Sequence, residues 1–325
     1  ASKVFAKDLM KQHNIPTASY EVFDDPAKAL SYIEQKNEYP VVIKADGLAL
    51  GKGVIIAADH DEAKEGLKEI MEDKVFGASG NQVVVEEFLT GPEVSVLAFV
   101  DGKTVVPMVS SMDHKRALDG DKGLNTGGMG VIAPNPYYTP EVAARCMEEI
   151  FLPTLAAMRA EGCPFRGCLY FGLMITRDGP KVIEYNCRFG DPETQAVLPL
   201  MESDLFAAMR ATTEGTLAQA DVRFRDGASC CVVLASGGYP EKYETGKPIA
   251  GLAEAEKTAR VYHAGTRALE DGTLVTSGGR VLGVTAVADD LPAAIRFAYE
   301  AADRIHFDGL HRREDIGARA LKALG

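Results

Sequence analysis

The segment VVIKADGLALGKGVIIA, residues 41–57, consists of two short apolar runs joined by a glycine-rich turn with two lysines. Runs of this length, rich in valine and isoleucine, predict two buried β-strands. Glycines let backbone N–H groups approach phosphate oxygens closely, and Lys44 and Lys52 would neutralise phosphate charge. The turn is a candidate phosphate-binding loop, although an ordinary hairpin with surface lysines explains this segment alone equally well. It matches neither the Walker A nor the GxGxxG pattern.

Strand and helix patterns alternate on both sides of this segment, which predicts an α/β or α+β fold. The helix predicted after Asp59 has a capping-box pattern, because Glu62 follows three residues later. Predicted helices span residues 2–12, 59–71 and 139–162 and start again at 291, and predicted strands include 40–44, 53–57, 82–88, 93–100, 167–176 and 181–186.

Residues 113–136 are rich in glycine, asparagine and charged residues and show little periodicity. We predict one long loop or several loops here, and long loops inside compact domains are usually functional. Within this region, His114 could bind a phosphate or be an ordinary polar loop residue, and the sequence favours neither.

The strand KVIEYN, residues 181–186, has the alternation that places Glu184 and Asn186 on one face. A carboxylate and an amide oxygen suit Mg²⁺, which takes few protein ligands when substrate phosphates supply the rest. A solvent-facing polar strand explains these two residues equally well. The charge-dense loop CRFGDPETQ that follows favours the functional interpretation.

The polar stretch near residues 219–227 interrupts the pattern, and we predict a domain boundary near residue 223. Beyond it, short apolar runs predict a small sheet covered by a helix with Asp290 as its cap.

Composition limits the classes of protein that fit. A length of 325 residues predicts about two or three domains. The net charge of −12 argues against a protein whose main task is to grip nucleic acid phosphates. No apolar run has the length of a membrane span or resembles a signal peptide, so we expect a cytoplasmic protein without a membrane partner. The six cysteines lack zinc-ligand spacing and are expected to be reduced packing residues, Cys187 included.

Five motifs in order, IKADGLALGKGV, VVVEEFLTGPEVSV, DHKR, NTGGMG and VIEYNCRFGDPETQ, closely resemble the glycinamide ribonucleotide synthetase family. Further matches in GGYPEKYETGKPI, YHAGT, TSGGRVLGVTA and REDIGARAL extend the resemblance over essentially the whole chain. It implies an α+β architecture, in which two α+β lobes of an ATP-grasp fold clasp ATP. This domain would cover residues 1–222, with a small lobe at about 18–88, and a small β-rich α+β domain would cover 223–325.

The resemblance also implies an activity, which is the ATP-dependent ligation of glycine to 5-phosphoribosylamine in de novo purine biosynthesis. The products would be glycinamide ribonucleotide, ADP and phosphate, and the intermediate would be glycyl phosphate. A glycine carboxylate and the ATP γ-phosphate are both negatively charged and repel each other. The resemblance implies that this charge is neutralised by Lys44, Lys115, Arg188 and the metal ion. No side-chain nucleophile is required.

The resemblance implies three groups of site residues. ATP would be bound by Lys3, Lys44, Gly51, Lys52, Gly53, Glu86, Glu87, Leu89 and Glu93. Mg²⁺ or Mn²⁺ would be bound by Glu184 and Asn186. Glycine and the amine would be bound by Asp113, Asn125, Thr126, Arg188, Asp191 and Glu193.

Three interpretations compete with that of a complete ligase. The sequence lacks the N-terminal domain of roughly 100 residues that is usual in the family. We therefore expect ATP and metal binding but weak or incomplete ligase activity unless a separate N-terminal domain chain is supplied, in a monomer or weak dimer. The second interpretation is a different ATP-grasp carboxylate–amine ligase, and the third is a nucleotide-binding module without catalysis.

Overall fold

The computed structural model describes residues 2–47 and 53–325. Contacts within the chain group its residues into two compact units. Unit 1 contains residues 1–93, 141–165 and 171–185, and unit 2 contains 94–140, 166–170 and 186–325. Helices and strands occur in both units, which confirms the predicted α+β class.

The helices of unit 1 begin at side-chain caps that the sequence makes visible. Helix α1 (Lys3–Gln12) starts after Ser2, whose hydroxyl accepts from the N–H of Phe5. Helices α2 (Pro26–Lys36) and α3 (His60–Leu67) start after Asp25 and Asp59. In α3 the predicted capping box is shifted, because the Glu62 carboxylate accepts from the N–H of Ala58 rather than from that of Asp59.

A second helical run of unit 1 follows the sequence prediction for residues 139–162. Helix α4 (Pro140–Arg145), a π-helical turn (Cys146–Phe151) and helix α5 (Leu152–Ala160) continue one another. Gly162, with φ +71°, lies just beyond the end, in the left-handed region that favours glycine.

Four antiparallel strands form the sheet of unit 1, in the order β1-β4-β2-β3. They are β1 (Tyr20–Phe23), β2 (Val41–Ala45), β3 (Val54–Ala57) and β4 (Val83–Glu87). Val41, Ile43, Val83 and Val85 pack on one face against core residues of α2 and α3. Side chains alternate between the faces of a strand, so Lys44 and Glu86 lie on the face opposite this core.

Strand β11 (Arg166–Thr176) belongs to both units, and its neighbour is β12 (Gly179–Asn186). In unit 1 the ring of Phe171 packs against the rings of Phe151 and Tyr185, with centroids 4.3 and 5.6 Å apart. Because Tyr185 points into this packing, the alternation of β12 directs Glu184 and Asn186 to the opposite face.

Unit 2 is built on a six-stranded sheet with the order β14-β17-β13-β10-β7, in which β18 also pairs with β13. These strands are β7 (Met112–Asp113), β10 (Gly130–Ala133), β13 (Ala228–Ser236), β14 (Arg260–His263), β17 (Arg280–Ala288) and β18 (Leu310–His311). Helix α9 (Leu291–Ala302) covers one face, and its cap is Asp290, as predicted.

Strands β5 (Glu93–Asp101) and β6 (Val105–Pro107) belong to a four-stranded sheet with the order β12-β11-β5-β6. Strands β8 (Arg116–Leu118) and β9 (Lys122–Asn125) form a separate pair, as do β15 (Thr266–Ala268) and β16 (Leu274–Thr276). The remaining helices are α6 (Glu193–Val197), α7 (Leu205–Glu214), α8 (Leu252–Ala255) and α10 (Ala318–Leu324). Single turns cover Lys68–Glu72, Gly77–Asn81, Leu198–Leu200 and Leu217–Gln219.

The prediction of loops throughout residues 113–136 is wrong, because this stretch contributes to four strands, β7 to β10. All four residues of β9 are exposed, so the β8–β9 hairpin lacks the alternation of buried and exposed residues that predicts a strand. The hairpin is stabilised by residues that are distant in the sequence. The buried Arg313 side chain donates to the Arg116 carbonyl oxygen (3.1 Å) and to Asp121 (2.9 Å), and Asp315 accepts from the N–H of Gly120 (2.8 Å).

The six-stranded sheet of unit 2 crosses the domain boundary predicted near residue 223. Strands β7 and β10 precede residue 223, yet they continue the sheet formed by β13, β14 and β17. The boundary near residue 223 therefore separates strands of one sheet, and the division into residues 1–222 and 223–325 stays a prediction. Within the described ranges 2–47 and 53–325, no helix is long and apolar enough to cross a membrane.

Candidate active site

A buried cluster of two lysines and a glutamate lies on the face of the unit 1 sheet opposite the core formed with α2 and α3. Lys44 Nζ is 3.0 Å from Glu86 Oε2, and Lys7 Nζ is 3.4 Å from the same oxygen. The three side chains are at most 8% exposed. The other carboxylate oxygen, Glu86 Oε1, is buried and has no hydrogen-bond partner among the described residues. A buried acceptor without a donor is costly, so this oxygen is a position where a ligand N–H would be stabilised.

Lys7 was missed in the sequence, although its spacing from Lys3 by one helical turn on α1 was a usable signal. Its ammonium group donates to Thr17 Oγ1 at 2.8 Å and to the Ala18 carbonyl oxygen at 2.9 Å. Burial lowers the pKa of Lys7 to about 8, and the nearby Glu86 carboxylate offsets part of that effect. Lys7 thus links α1 to the Glu86 carboxylate.

Lys3 joins the start of α1 to the segment that leads into this loop. Its Nζ donates to the carbonyl oxygens of Ala45 and Gly47, both at 2.8 Å, and its backbone N–H donates to Asp46 Oδ1 at 2.6 Å. Burial lowers the pKa of Lys3, while the charge of Glu184 opposes this shift. Gly53 is buried at the far end of the loop, whereas the predicted ATP-binding residues Gly51 and Lys52 lie outside the described residues.

The predicted adenine hinge begins at Glu86 and continues into exposed chain. Glu87 is exposed and accepts from Lys181 Nζ at 3.2 Å and Ser19 Oγ at 2.9 Å, Leu89 is half-buried, and Glu93 is exposed. Gly91 has φ +148°, and a Cβ there would overlap the carbonyl oxygen of Ile175. Only glycine fits this turn without displacing the chain, so the hinge is held close to β11.

The candidate metal ligands Glu184 and Asn186 are two residues apart on β12 and share a strand face. Lys44 Nζ donates to the carbonyl oxygen of Ile183 at 3.2 Å, which ties this lysine to the residue before Glu184. Among residues 2–47 and 53–325, no group of three or more His, Cys, Asp or Glu could hold a metal ion. This sparse set fits an ion such as Mg²⁺ that takes its other ligands from phosphates and water.

In unit 2, Glu193 is a buried carboxyl group in a polar chain of contacts. It is 5% exposed and accepts from Tyr170 Oη at 3.1 Å, and that hydroxyl is 2.7 Å from Ser95 Oγ. Burial raises the pKa of Glu193, while the charges of Lys115 and Arg188 oppose the shift. These three predicted residues therefore share one electrostatic environment, in which a carboxylate lies among cations.

The backbone of Lys115 is fixed by Thr126, which was predicted to bind substrate. The N–H and Oγ1 of Thr126 both donate to the Lys115 carbonyl oxygen at 2.8 Å, and Oγ1 accepts from the N–H of Gly128 at 2.9 Å. The Thr126 hydroxyl thus connects the backbone of Lys115 to that of Gly128. Asn125 ends β9 opposite Arg116, and Asp113 Oδ1 accepts from the N–H of His114 at 2.7 Å.

Two predicted residues lie on the turn after β12. Arg188 is exposed, and its Nη1 donates to the Phe189 carbonyl oxygen at 2.8 Å. Asp191 has both carboxylate oxygens engaged, since Oδ1 accepts from Gln195 Nε2 and Oδ2 accepts from Arg280 Nη2, each at 2.9 Å. Arg280, on the distant strand β17, was missed in the sequence.

The structure gives His114 a structural role. It is buried, Nδ1 is 3.1 Å from the Gly130 carbonyl oxygen, and Nε2 is 3.1 Å from the N–H of Gly317. Burial and the charge of Arg313 lower the pKa of His114 to about 4, so the ring is neutral, with Nδ1 as donor and Nε2 as acceptor. Both ring nitrogens are used within the protein, which leaves the phosphate interpretation without support.

The cysteines are all free, and the expectation of packing holds for the buried four. Cys163 and Cys187 are exposed, so packing does not explain them.

The chain matches known proteins over nearly its whole length. Residues 1–194 match the family described as phosphoribosylglycinamide synthetase, ATP-grasp (A) domain, and residues 229–319 match the phosphoribosylglycinamide synthetase C domain. A phosphoribosylamine–glycine ligase of Chlorobaculum tepidum is 52% identical over 323 residues, which are 98% of this chain and 76% of that protein. The crystal structure of a phosphoribosylamine–glycine ligase from Thermotoga maritima has a TM-score of 0.88 and 41% identity, covering 97% of this chain and 78% of that chain.

A more distant likeness concerns the fold alone. The biotin carboxylase domain of a Hydrogenobacter thermophilus 2-oxoglutarate carboxylase has a TM-score of 0.71 at 16% identity, covering 95% of this chain and 66% of that chain. These matches confirm the predicted ATP-grasp fold. Since both family domains match in order and relatives are about half identical over this length, the chain belongs to the phosphoribosylglycinamide synthetase family.

Proposed function

We propose that the chain catalyses the ATP-dependent ligation of glycine to 5-phosphoribosylamine, which gives glycinamide ribonucleotide, ADP and phosphate in de novo purine biosynthesis. Membership of the family supports this reaction, and relatives of Chlorobaculum tepidum and Thermotoga maritima carry the name phosphoribosylamine–glycine ligase. The observation that carries the nucleotide part is the buried Lys7–Glu86–Lys44 cluster, in which Glu86 Oε1 has no hydrogen-bond partner within residues 2–47 and 53–325.

The nucleotide site, in this proposal, is formed by residues of unit 1. Glu86 Oε1 accepts from the amino group of adenine, because a buried acceptor without a partner is stabilised by an N–H donor. Lys44 and Lys3 neutralise phosphate charge, and the loop of Gly51, Lys52 and Gly53 covers the phosphates. Glu87, Leu89 and Glu93 form the edge of the base and ribose site.

Glu184 and Asn186 would hold the metal ion, Mg²⁺ or Mn²⁺, whose positive charge neutralises the phosphates when it is bound. Their shared face on β12 supports this assignment. Lys44 keeps its ammonium group next to this strand through the Ile183 carbonyl oxygen.

The carboxylate chemistry is assigned to residues of unit 2. Lys115 and Arg188, with Lys44, neutralise charge on the transferring phosphoryl group, which is the main form of assistance in phosphoryl transfer. Asp113, Asn125, Asp191 and Glu193 would bind glycine and the amine, and the buried Glu193 carboxylate suits an ammonium group. Thr126 contributes by fixing the Lys115 backbone rather than through a free hydroxyl. The amine of phosphoribosylamine then attacks the carbonyl carbon of glycyl phosphate, and phosphate leaves.

The division into an ATP-grasp domain of residues 1–222 and a C-terminal domain of 223–325 is part of this proposal. The apolar start of β13 at Ala228, after the polar stretch 219–227, supports a boundary there.

The test is ADP release in the presence of ATP, Mg²⁺, glycine and freshly generated phosphoribosylamine, with and without each substrate. We expect release that depends on both glycine and the amine. The variant Arg188→Ala should lose about 10²- to 10³-fold in kcat, because it lacks a contact made in the transition state. The matched control is Arg177→Ala, because Arg177 is 93% exposed at the β11–β12 turn, and it should keep full activity. The proposal would be contradicted by ADP release that does not depend on glycine. Equal losses of kcat in Arg188→Ala and Arg177→Ala would contradict it as well.

A further inference from the structure

Arg280 connects two segments that are far apart in the sequence. Its Nη1 donates to the Gly127 carbonyl oxygen at 2.8 Å and to the Asp191 carbonyl oxygen at 2.9 Å, with the Gly128 carbonyl oxygen at 3.4 Å. Its Nη2 donates to Asp191 Oδ2 at 2.9 Å. One guanidinium group therefore holds the glycine loop of residues 126–128 and the turn of residues 190–192 together.

The glycine loop fits closely around this group. A Cβ at Gly127 would lie 2.9 Å from Arg280 Cζ. Gly128 has φ +114°, and a Cβ there would overlap the ring of Pro192. The N–H of Gly127 also donates to Tyr239 Oη at 3.0 Å, so a second side chain from the C-terminal part of the chain fixes the same loop.

We propose that Arg280 is a positioning residue for the acceptor substrates, glycine and the amine, and that Tyr239 assists it. This inference rests on the proposed function, because it concerns how the same site is ordered. The first segment held by Arg280 includes Thr126, which fixes the Lys115 backbone. The second is the turn between Arg188 and Glu193. In this proposal, Arg280 acts through these segments.

The geometry requires the planar fork of arginine. Nη1 and Nη2 reach one carboxylate oxygen and two main-chain carbonyl oxygens that lie on different segments. A lysine ammonium is a compact charge without this fork, so it cannot hold both segments in the same way. Because Arg280 Nη2 and Gln195 occupy the two oxygens of Asp191, the proposed contribution of Asp191 to substrate binding runs through the orientation of its turn.

The test compares Arg280→Met and Arg280→Lys with the control Arg267→Met, which changes an exposed arginine on β15. We expect the KM for glycine and for phosphoribosylamine to rise by about 10- to 100-fold in Arg280→Met, as for the loss of a charge-assisted hydrogen bond. Arg280→Lys should resemble Arg280→Met. The affinity for ATP, measured by calorimetry, should stay at the wild-type value in all three variants, because the proposed nucleotide residues lie in unit 1.

Amide hydrogen exchange provides a readout that needs no turnover. In Arg280→Met, the amides of residues 126–128 should lose protection together with those of Thr194 and Gln195, which donate to the carbonyl oxygens of Gly190 and Pro192, while the β13–β17 pairing keeps its protection. If wild-type chain shows no ligase activity, the proposed function fails, and this exchange pattern still decides the role of Arg280. The inference is overturned if the two segments keep their protection, if KM is unchanged, or if Tm, ATP affinity and both KM values change together as in general destabilisation.

Discussion

Replacing Glu86 by glutamine isolates the charge at the centre of the proposed nucleotide site, because the amide keeps the shape of the side chain. In the folded chain, Glu86 Oε2 is 3.0 Å from Lys44 Nζ and 3.4 Å from Lys7 Nζ. Glu86→Gln would leave two buried ammonium groups without this counter-charge. Removal of one partner from a buried ion pair destabilises a protein by about 3–5 kcal/mol, since the remaining charge is desolvated and uncompensated. We expect a loss of this size in the free energy of unfolding at pH 7.

The adjacent residue offers a matched control. Glu87 has the same side chain and also faces a lysine, with Glu87 Oε1 3.2 Å from Lys181 Nζ, but these side chains are 38% and 26% exposed. Exposed pairs contribute about 0–1 kcal/mol, so Glu87→Gln should change stability little. Both variants can be compared in urea titrations followed by far-UV circular dichroism, which suits a chain without tryptophan.

Nucleotide binding gives the second half of this prediction. Glu86→Gln should also weaken ATP binding, because the amide can present its NH₂ group where the unpaired carboxylate oxygen would accept from adenine. The reasoning is refuted if Glu86→Gln loses less than about 1 kcal/mol, the upper value for exposed pairs. Equal stability losses in the two variants would refute it as well.

Three further predictions concern other groups. Glu184→Gln and Asn186→Ala should each raise the Mg²⁺ concentration for half-maximal ADP release by about tenfold or more, since a contact with the proposed metal ion is lost. Unchanged metal dependence would exclude both residues from the proposed metal site. The pKa of His114 is about 4 in the folded chain against an ordinary 6.5, so the unfolded chain binds more protons between these values and stability should fall as pH decreases through this range. Urea titrations at pH 7 and 5 should show a component of up to about 1.4 kcal/mol per pH unit that His114→Gln lacks. Cys163 and Cys187 should react with a thiol reagent in the folded chain, and a folded chain with six reactive thiols would contradict the observed burial.

Several features of the fold were readable from local patterns. The helix after Ser2, the cap at Asp59 and the strands around Lys44 and Glu86 appear where the sequence predicts them. Helix caps and the alternation of apolar residues involve only a few neighbouring residues, so they can be recognised from the sequence alone. The order of the five motifs was specific enough to indicate the ATP-grasp fold and the family, and both are confirmed.

The errors and omissions share a physical cause. Residues 113–136 look like loops because none of their strands is longer than four residues, and the β8–β9 hairpin depends on Arg313 at a separation of almost 200 positions along the chain. Lys7 looks like a surface lysine of an amphipathic helix until the fold places Glu86 next to it. These contacts depend on which segments meet after folding, and local periodicity contains no information about that.

By itself, then, the sequence determined the fold class, the family and the residue types available for phosphate and metal chemistry. Local hydrogen bonding, alternation of side chains and motif order are sufficient for these conclusions. Only the tertiary structure decided that Glu86 is shared by two lysines, that His114 is neutral and structural, and that Arg280 joins two loops. Burial and long-range hydrogen bonding set the charge and orientation of these groups, and both arise only when distant segments pack together.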